Sequence, residues 1–352
     1  MQYVAIGKER FSQFIEILAH SKPVYAPVSK GFDNYVFERV SSADKIALQY
    51  IPTILPPKKY FLPPRETIIN FDLKRNCYEG VLEFESMYLF GVHTCDLAGI
   101  QYLDIVLSDK PKDINYISRK GKIFIIGLEC NQYCDEYASC ALMNNHLPNG
   151  GYDLFFTDLG DAFIVHVHTE RGESLVKKTG LFSEAGAAIL KKLEALREQK
   201  KRIFSNEVNI RRDKLAGLFE SGYNSPVWND LDRRCVACGN CTNVCPTCYC
   251  FDILEDISFD GTEGSRIRMW DSCQNEGFAK IASGENFRKA RGDRQRHRYR
   301  RKFLYSFQKY GRYSCTGCGR CTRSCMAKIS LKETINALAS EQEEKNEKSA
   351  TG

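Results

Sequence analysis

Residues 234–251 read RCVACGNCTNVCPTCYCF, and the organisation of the chain follows from what those cysteines must hold. Cys235, Cys238, Cys241 and Cys245, with Pro246 behind them, have the C-x2-C-x2-C-x3-C-P spacing of a [4Fe–4S] ligand run. The first three thiols wrap a tight loop whose amides point at the sulfides of one cluster. The fourth lies a turn further on and faces away, toward a neighbouring cluster. That neighbour is supplied near the other end of the chain, where Cys315, Cys318, Cys321 and Cys325 repeat the spacing. In two-cluster chains of this type the fourth cysteines are exchanged. The expected ligand sets are therefore Cys235, Cys238, Cys241 and Cys325 for one cluster, and Cys315, Cys318, Cys321 and Cys245 for the other. Met326 stands where the first run has its proline; proline there shapes the exit of the chain and ligates nothing.

Two other readings of paired cysteines fit less well. Zinc needs two C-x-x-C pairs, and two complete four-thiol runs overshoot that. Disulfides need an oxidising compartment, whereas the opening MQYVAIGKERF is too polar for a secretory signal. The thiols are thus expected in a reducing cytoplasm. No apolar run approaches the roughly 20 residues that would cross a bilayer, so no membrane insertion is expected. A net charge of +6 over 352 residues is too small to argue for nucleic acid.

The length suffices for two cores. The pattern predicts an α/β N-terminal domain over residues 1–210, a mostly α-helical two-cluster ferredoxin domain over 211–338, and a charged, flexible tail over 339–352. In the first part Arg10–His20 has helical spacing, as does Asp96–Leu107. Strands are expected at Val24–Val28, Tyr35–Arg39, Met87–Val92 and Lys122–Leu128, with a hairpin over Tyr152–Thr169. The prolines of PPKKYFLPP (56–64) predict an extended, rigid segment. Ala187–Phe204 is an amphipathic helix bridging the domains, its charges read as a solvated face. The long insert between the two cysteine runs shows helical patterns at Gly277–Ile281 and Lys302–Tyr310 and little strand character.

No Gly-rich dinucleotide fingerprint or phosphate loop occurs, so a flavin or nicotinamide is expected on another chain. Carboxylates and histidines show no catalytic or ligand spacing; His166 and His168 read as structural, and no catalytic residue is assigned. Between Arg288 and Lys302 there are nine basic residues and one acid. That run reads as a solvated helix, as compensation for the negative charge of four-thiolate clusters, or as a docking face. Nucleic acid fits least, because no stacking platform accompanies it.

Cys248, Cys250 and Cys273 are left over by the two clusters, one ligand short of a third [4Fe–4S] site. Their alternative is burial as small hydrophobes. Cys95, just beyond the Met87–Val92 strand, is the first choice for the fourth ligand, since strand ends of α/β domains gather ligands. Cys130 and Cys140 stand in reserve and could form a further site with Cys95; Cys134 lies in the loop between them, and Cys77 is unrelated.

CVACGNCTNVCPTCYCFDI, RIRMWDSC, ENFRKARGDRQRHRYRRKF and CTGCGRC, with PPKKYFLPPRE, FGVHTCDLAGI and IIGLEC upstream, together resemble two related families. These are the iron–sulfur beta subunit of cytoplasmic sulfhydrogenases, which are nickel–iron hydrogenases, and the iron–sulfur subunit of anaerobic sulfite reductase. The resemblance implies an electron-transfer subunit between a flavin and [2Fe–2S] NAD(P)H-oxidising subunit and a terminal hydrogenase or sulfite reductase subunit. The alternative is an enzyme that reduces polysulfide or disulfide at an extra cysteine-ligated cluster.

Overall fold

A computed structural model describes residues 2–204 and 208–350. Its strands are β1 (Gln2–Gly7), β2 (Val24–Ser29), β3 (Tyr35–Val40), β4 (Arg65–Asp72), β5 (Cys77–Gly80), β6 (Met87–Val92), β7 (Ile123–Leu128), β8 (Leu154–Asp158), β9 (Ala162–Val167), β10 (Ser183–Glu184), β11 (Phe251–Ile257) and β12 (Glu263–Trp270). Eight of them form one mixed sheet in the order β10-β1-β9-β8-β7-β6-β2-β3. Its centre, β2-β6-β7-β8, is parallel, and the flanking pairs are antiparallel. MYLFGV and IFIIGL are buried along their whole length as β6 and β7, which is why they read as unbroken apolar runs rather than alternating ones.

Helices cover both faces of this sheet. Phe11, Phe14, Ile15 and Leu18 of the helix Lys8–Ser21 share one core with Phe90, Phe156 and Val165. On the other face Leu97, Ile100 and Leu103 of the helix Thr94–Leu107 pack with Leu89, Ile125 and Phe155. That second helix starts directly at the end of β6, so its first turn, with Cys95 and Asp96, sits at the C-terminal edge of the parallel strands.

Three expectations change. PPKKYFLPP is not extended throughout: Pro57–Tyr60 forms a 3-10 turn, consistent with the preset φ of proline at a first helical position. The insert between the cysteine runs contains a hairpin, β11–β12, which joins β4 and β5 in a four-stranded antiparallel sheet ordered β11-β12-β4-β5. The N-terminal and C-terminal parts of the chain therefore share a sheet. A buried ionic network fastens the junction: Glu66 on β4 accepts from Arg119 at 2.8 Å and from Arg268 on β12 at 2.6 Å, and Arg268 also pairs with Asp113. Finally, the charged tail expected from residue 339 continues a helix, Leu331–Ala350, whose first half is anchored by buried Ile335, Leu338 and Ala339.

Helices Leu215–Ser221, Val227–Arg234 and Arg291–Arg300 pack with Leu331–Ala350 around Phe219, Trp228, Leu231, Tyr299, Phe303 and Ile335. Arg291–Arg300 continues through a π-helical turn, Arg301–Tyr305, into Ser306–Tyr310. Among the described residues no helix is long and apolar enough to cross a membrane.

Candidate metal centres

Each cysteine run folds alike. A loop carrying the first two cysteines turns through a left-handed glycine, Gly239 (φ 77°) or Gly319 (φ 73°), into one short helix, Asn240–Asn243 or Arg320–Arg323. Only glycine adopts that conformation without strain. The two short helices are tied together, Asn240 Nδ2 donating to Ser324 O at 3.1 Å.

The loops enclose two cavities. Cys235, Cys238, Cys241 and Cys325 line the first; Cys245, Cys315, Cys318 and Cys321 line the second. The fourth cysteine of each run thus lies on the wall of the other run's cavity. The cavities adjoin, with Arg298 and Cys321 on the walls of both. Among the described residues no three His, Cys, Asp or Glu side chains close on a single-ion position; the thiols surround a volume instead.

The donor chemistry around those volumes fits a thiolate-bound cluster. Backbone amides already approach the sulfurs, Ala237 N to Cys235 Sγ at 3.4 Å and Ile329 N to Cys325 Sγ at 3.3 Å, and Gln295 Nε2 reaches Cys235 Sγ at 3.1 Å. Burial pushes the Cys241 and Cys315 thiols up to about 12. Ligation, which needs thiolates, therefore requires compensating charge, and buried cations supply it. Arg294, Arg298 and Lys302 recur every fourth residue and are all buried, so the solvated-helix reading of the basic run does not describe them. Lys302 Nζ lies 3.2 Å from Cys245 Sγ and 2.6 Å from Thr247 Oγ1. Burial alone would lower Lys302 and Arg298, but the thiols around them, Cys245 and Cys248 for the lysine and Cys241 and Cys321 for the arginine, hold both above their ordinary values. None of the ion pairs among the described residues includes the buried Lys58, Arg298 or Lys302. Isolated buried cations cost several kcal/mol each, so their presence beside thiols, without carboxylates, points to an anionic occupant.

The second run is also locked to the α/β part. Arg320, 1% exposed, grips the fully buried Asp96 through Nη1–Oδ1 (2.6 Å) and Nη2–Oδ2 (2.8 Å), and its Nε donates to Thr53 O at 2.6 Å. Arg323 pairs with Asp135, and Ser139 N donates to Gly317 O at 2.8 Å.

The remaining thiols fall into two groups. Cys250 and Cys273 perturb one another, the thiol of Cys250 being raised and that of Cys273 lowered, and Cys248 and Cys245 do the same, Cys248 raised and Cys245 lowered. Lys58 Nζ donates to Cys248 O at 2.8 Å, stacks 4.2 Å from the Trp270 ring, and is drawn down to about 8 by burial. Arg301 also faces Cys248 and Cys250. Cys95 is buried in the first turn of the helix Thr94–Leu107, where burial first and then Asp96 and Cys318 raise its thiol. Cys77 is exposed on β5, away from all of these. His166 is held by Tyr152, ring nitrogen Nδ1 to hydroxyl at 2.9 Å, in keeping with a structural part. Nothing in the sequence marked Lys58 or Arg320 as site-building residues, because each acts on a partner far along the chain.

Two thiol-lined cavities side by side define an iron–sulfur protein, and residues 234–329 match the family model of a 4Fe-4S dicluster domain. The chain is 36% identical to sulfhydrogenase 2 subunit beta of Pyrococcus furiosus over 330 residues, covering 94% of this chain and 96% of that one. The chain belongs to the sulfhydrogenase beta subunit family. No solved structure matches it significantly.

Proposed function

We propose that this chain is the electron relay of a cytoplasmic multi-subunit oxidoreductase. It would receive electrons from a flavin-bearing NAD(P)H-oxidising subunit and pass them to a terminal subunit of hydrogenase or sulfite reductase type. Cys235, Cys238, Cys241 and Cys325 would hold one [4Fe–4S] cluster, and Cys315, Cys318, Cys321 and Cys245 the other. A bound four-thiolate cluster supplies one-electron chemistry whose potential follows charge, amide hydrogen bonds and exposure. The observation that carries the reading is the common wall: Arg298 and Cys321 border both cavities, so two ligand sets stand in direct succession.

The residues have distinct parts in this scheme. Arg298 and Lys302 offset the charge of the thiolates and favour the reduced state. Ala237 N, Ile329 N and Gln295 donate to sulfur and act in the same direction. Tyr299, Phe303 and Leu304 are buried in the apolar core beside the cavities, which keeps water from that side. The carriage of electrons, rather than conversion of substrate, suits a site with eight thiols and no acid–base pair. The test is the purified chain alone, handled without oxygen. It should exchange electrons with viologen dyes but neither oxidise NAD(P)H nor reduce polysulfide. Finding bound flavin with NAD(P)H oxidation, or turnover of polysulfide, would overturn the relay assignment.

A further inference from the structure

Four of the five N-terminal cysteines outside both cavities, all but Cys77, are brought together by the topology. β6 and β7 are adjacent and parallel, with Val92 opposite Gly127. Their exits therefore lie side by side, and Cys95 and Cys130 lie just beyond them. Cys134 follows in the next loop and lines the same cavity as Cys130. Cys140 ends the same loop, buried, with its backbone packed against Gly317. The loop is pinned in place, because Asn145 N donates to Cys140 O at 2.8 Å, Asn145 Nδ2 reaches Thr316 O, and Ser139 N bonds Gly317 O.

We propose that Cys95, Cys130, Cys134 and Cys140 form an additional iron–sulfur site of the four-thiolate [4Fe–4S] class, at the C-terminal edge of the parallel strands. Four thiols drawn from two strand ends and one loop match the donor count of a complete cluster. An independent observation supports an occupant. A cavity of about 200 Å³ opens beside Cys130 and Cys134 and is also lined by His93. His93 is 2% exposed, yet its Nδ1 has no hydrogen-bond partner. A buried polar atom left unsatisfied in an otherwise ordered site points to a ligand. Tyr50 stacks 3.8 Å from that imidazole and holds it there. Asp96, next to Cys95, is paired with Arg320, two residues from Cys318 of the second cavity, so this site would extend the series from the ferredoxin loops to the strand edge.

This goes beyond the two-cluster reading and rests on different cysteines. Its test is iron and sulfide analysis of the full chain after anaerobic reconstitution. The wild type should bind about twelve irons or more, whereas about eight would overturn the proposal. Cys134→Ser should remove about four irons while the electron paramagnetic resonance signals of the ferredoxin-type centres persist; an unchanged count would overturn it. Should Cys134→Ser lose all its iron through misfolding, Cys273→Ala decides. Iron remaining above about eight in that variant supports the N-terminal site, and a fall to about eight assigns the extra iron to the Cys248–Cys250–Cys273 group and overturns it.

Discussion

Replacing Lys302 by methionine removes the cation nearest a proposed cluster ligand while keeping most of the volume of the side chain. Lys302 Nζ is 3.2 Å from Cys245 Sγ and is buried without a carboxylate partner. An electron added to the second centre spreads beyond that sulfur, so its charge is centred ~6 Å from the ammonium. Unit charges at ~6 Å in a medium of effective dielectric ~20 attract by about 3 kcal/mol. For a one-electron couple this corresponds to about 120 mV. The sign follows from which state the lysine favours. A cation stabilises the reduced, more negative state, so its removal lowers the midpoint potential. Lys302→Met should therefore shift one centre downward by about 100 mV, and Lys302→Arg, which keeps the charge, should shift it far less. The assay is a dye-mediated redox titration followed by electron paramagnetic resonance on protein of unchanged iron content. A shift smaller than about 20 mV, or an upward one, would refute a cluster at the Cys245, Cys315, Cys318 and Cys321 cavity.

Arg298 borders both cavities, so Arg298→Gln should lower the potentials of two centres where Lys302→Met lowers one; a change confined to a single centre would contradict the common wall. Asp96→Asn leaves Arg320 charged and buried without its counter-ion, which should cost about 3–5 kcal/mol. Faster iron release at a fixed guanidinium concentration is the readout, and wild-type release kinetics would show that the pair does not hold the two parts together.

Regular spacing explains what the sequence made legible. Eight cysteines in two runs of identical spacing state their chemistry locally, and the fourth cysteine of each run, Cys245 or Cys325, lines the other run's cavity. MYLFGV and IFIIGL announced buried strands because both faces of those strands are covered. The hairpin β11–β12 went unread because every residue of β11 is exposed, so no alternation separates an inner face from an outer one. Its one local signal, Asp260-Gly261 at the turn, is a common hairpin dipeptide. Charged groups were the hardest to place. Lys200 sits on the amphipathic helix Ala187–Ile203 that read as solvated, yet it is fully buried with its Nζ 2.8 Å from Glu129 Oε1. Lys58, Lys302 and Arg320 are likewise buried. A cation enters a core only when an anion meets it, and Asp96 meets Arg320 from the other end of the chain, which no window of sequence brings into view. Cys95 followed the same rule. Its place at a strand end was readable, but its sulfur neighbours depend on how the loop of Cys130–Cys140 folds back.

The exchange of fourth ligands is the central claim about how the two proposed centres are built, and serine variants test it directly. Electron paramagnetic resonance spectra of Cys238→Ser and Cys318→Ser would identify the signals of the first and second centres. The account predicts that Cys325→Ser perturbs the signal that Cys238→Ser perturbs and leaves the other centre intact. A Cys325→Ser spectrum altered only in the signal disturbed by Cys318→Ser would contradict it.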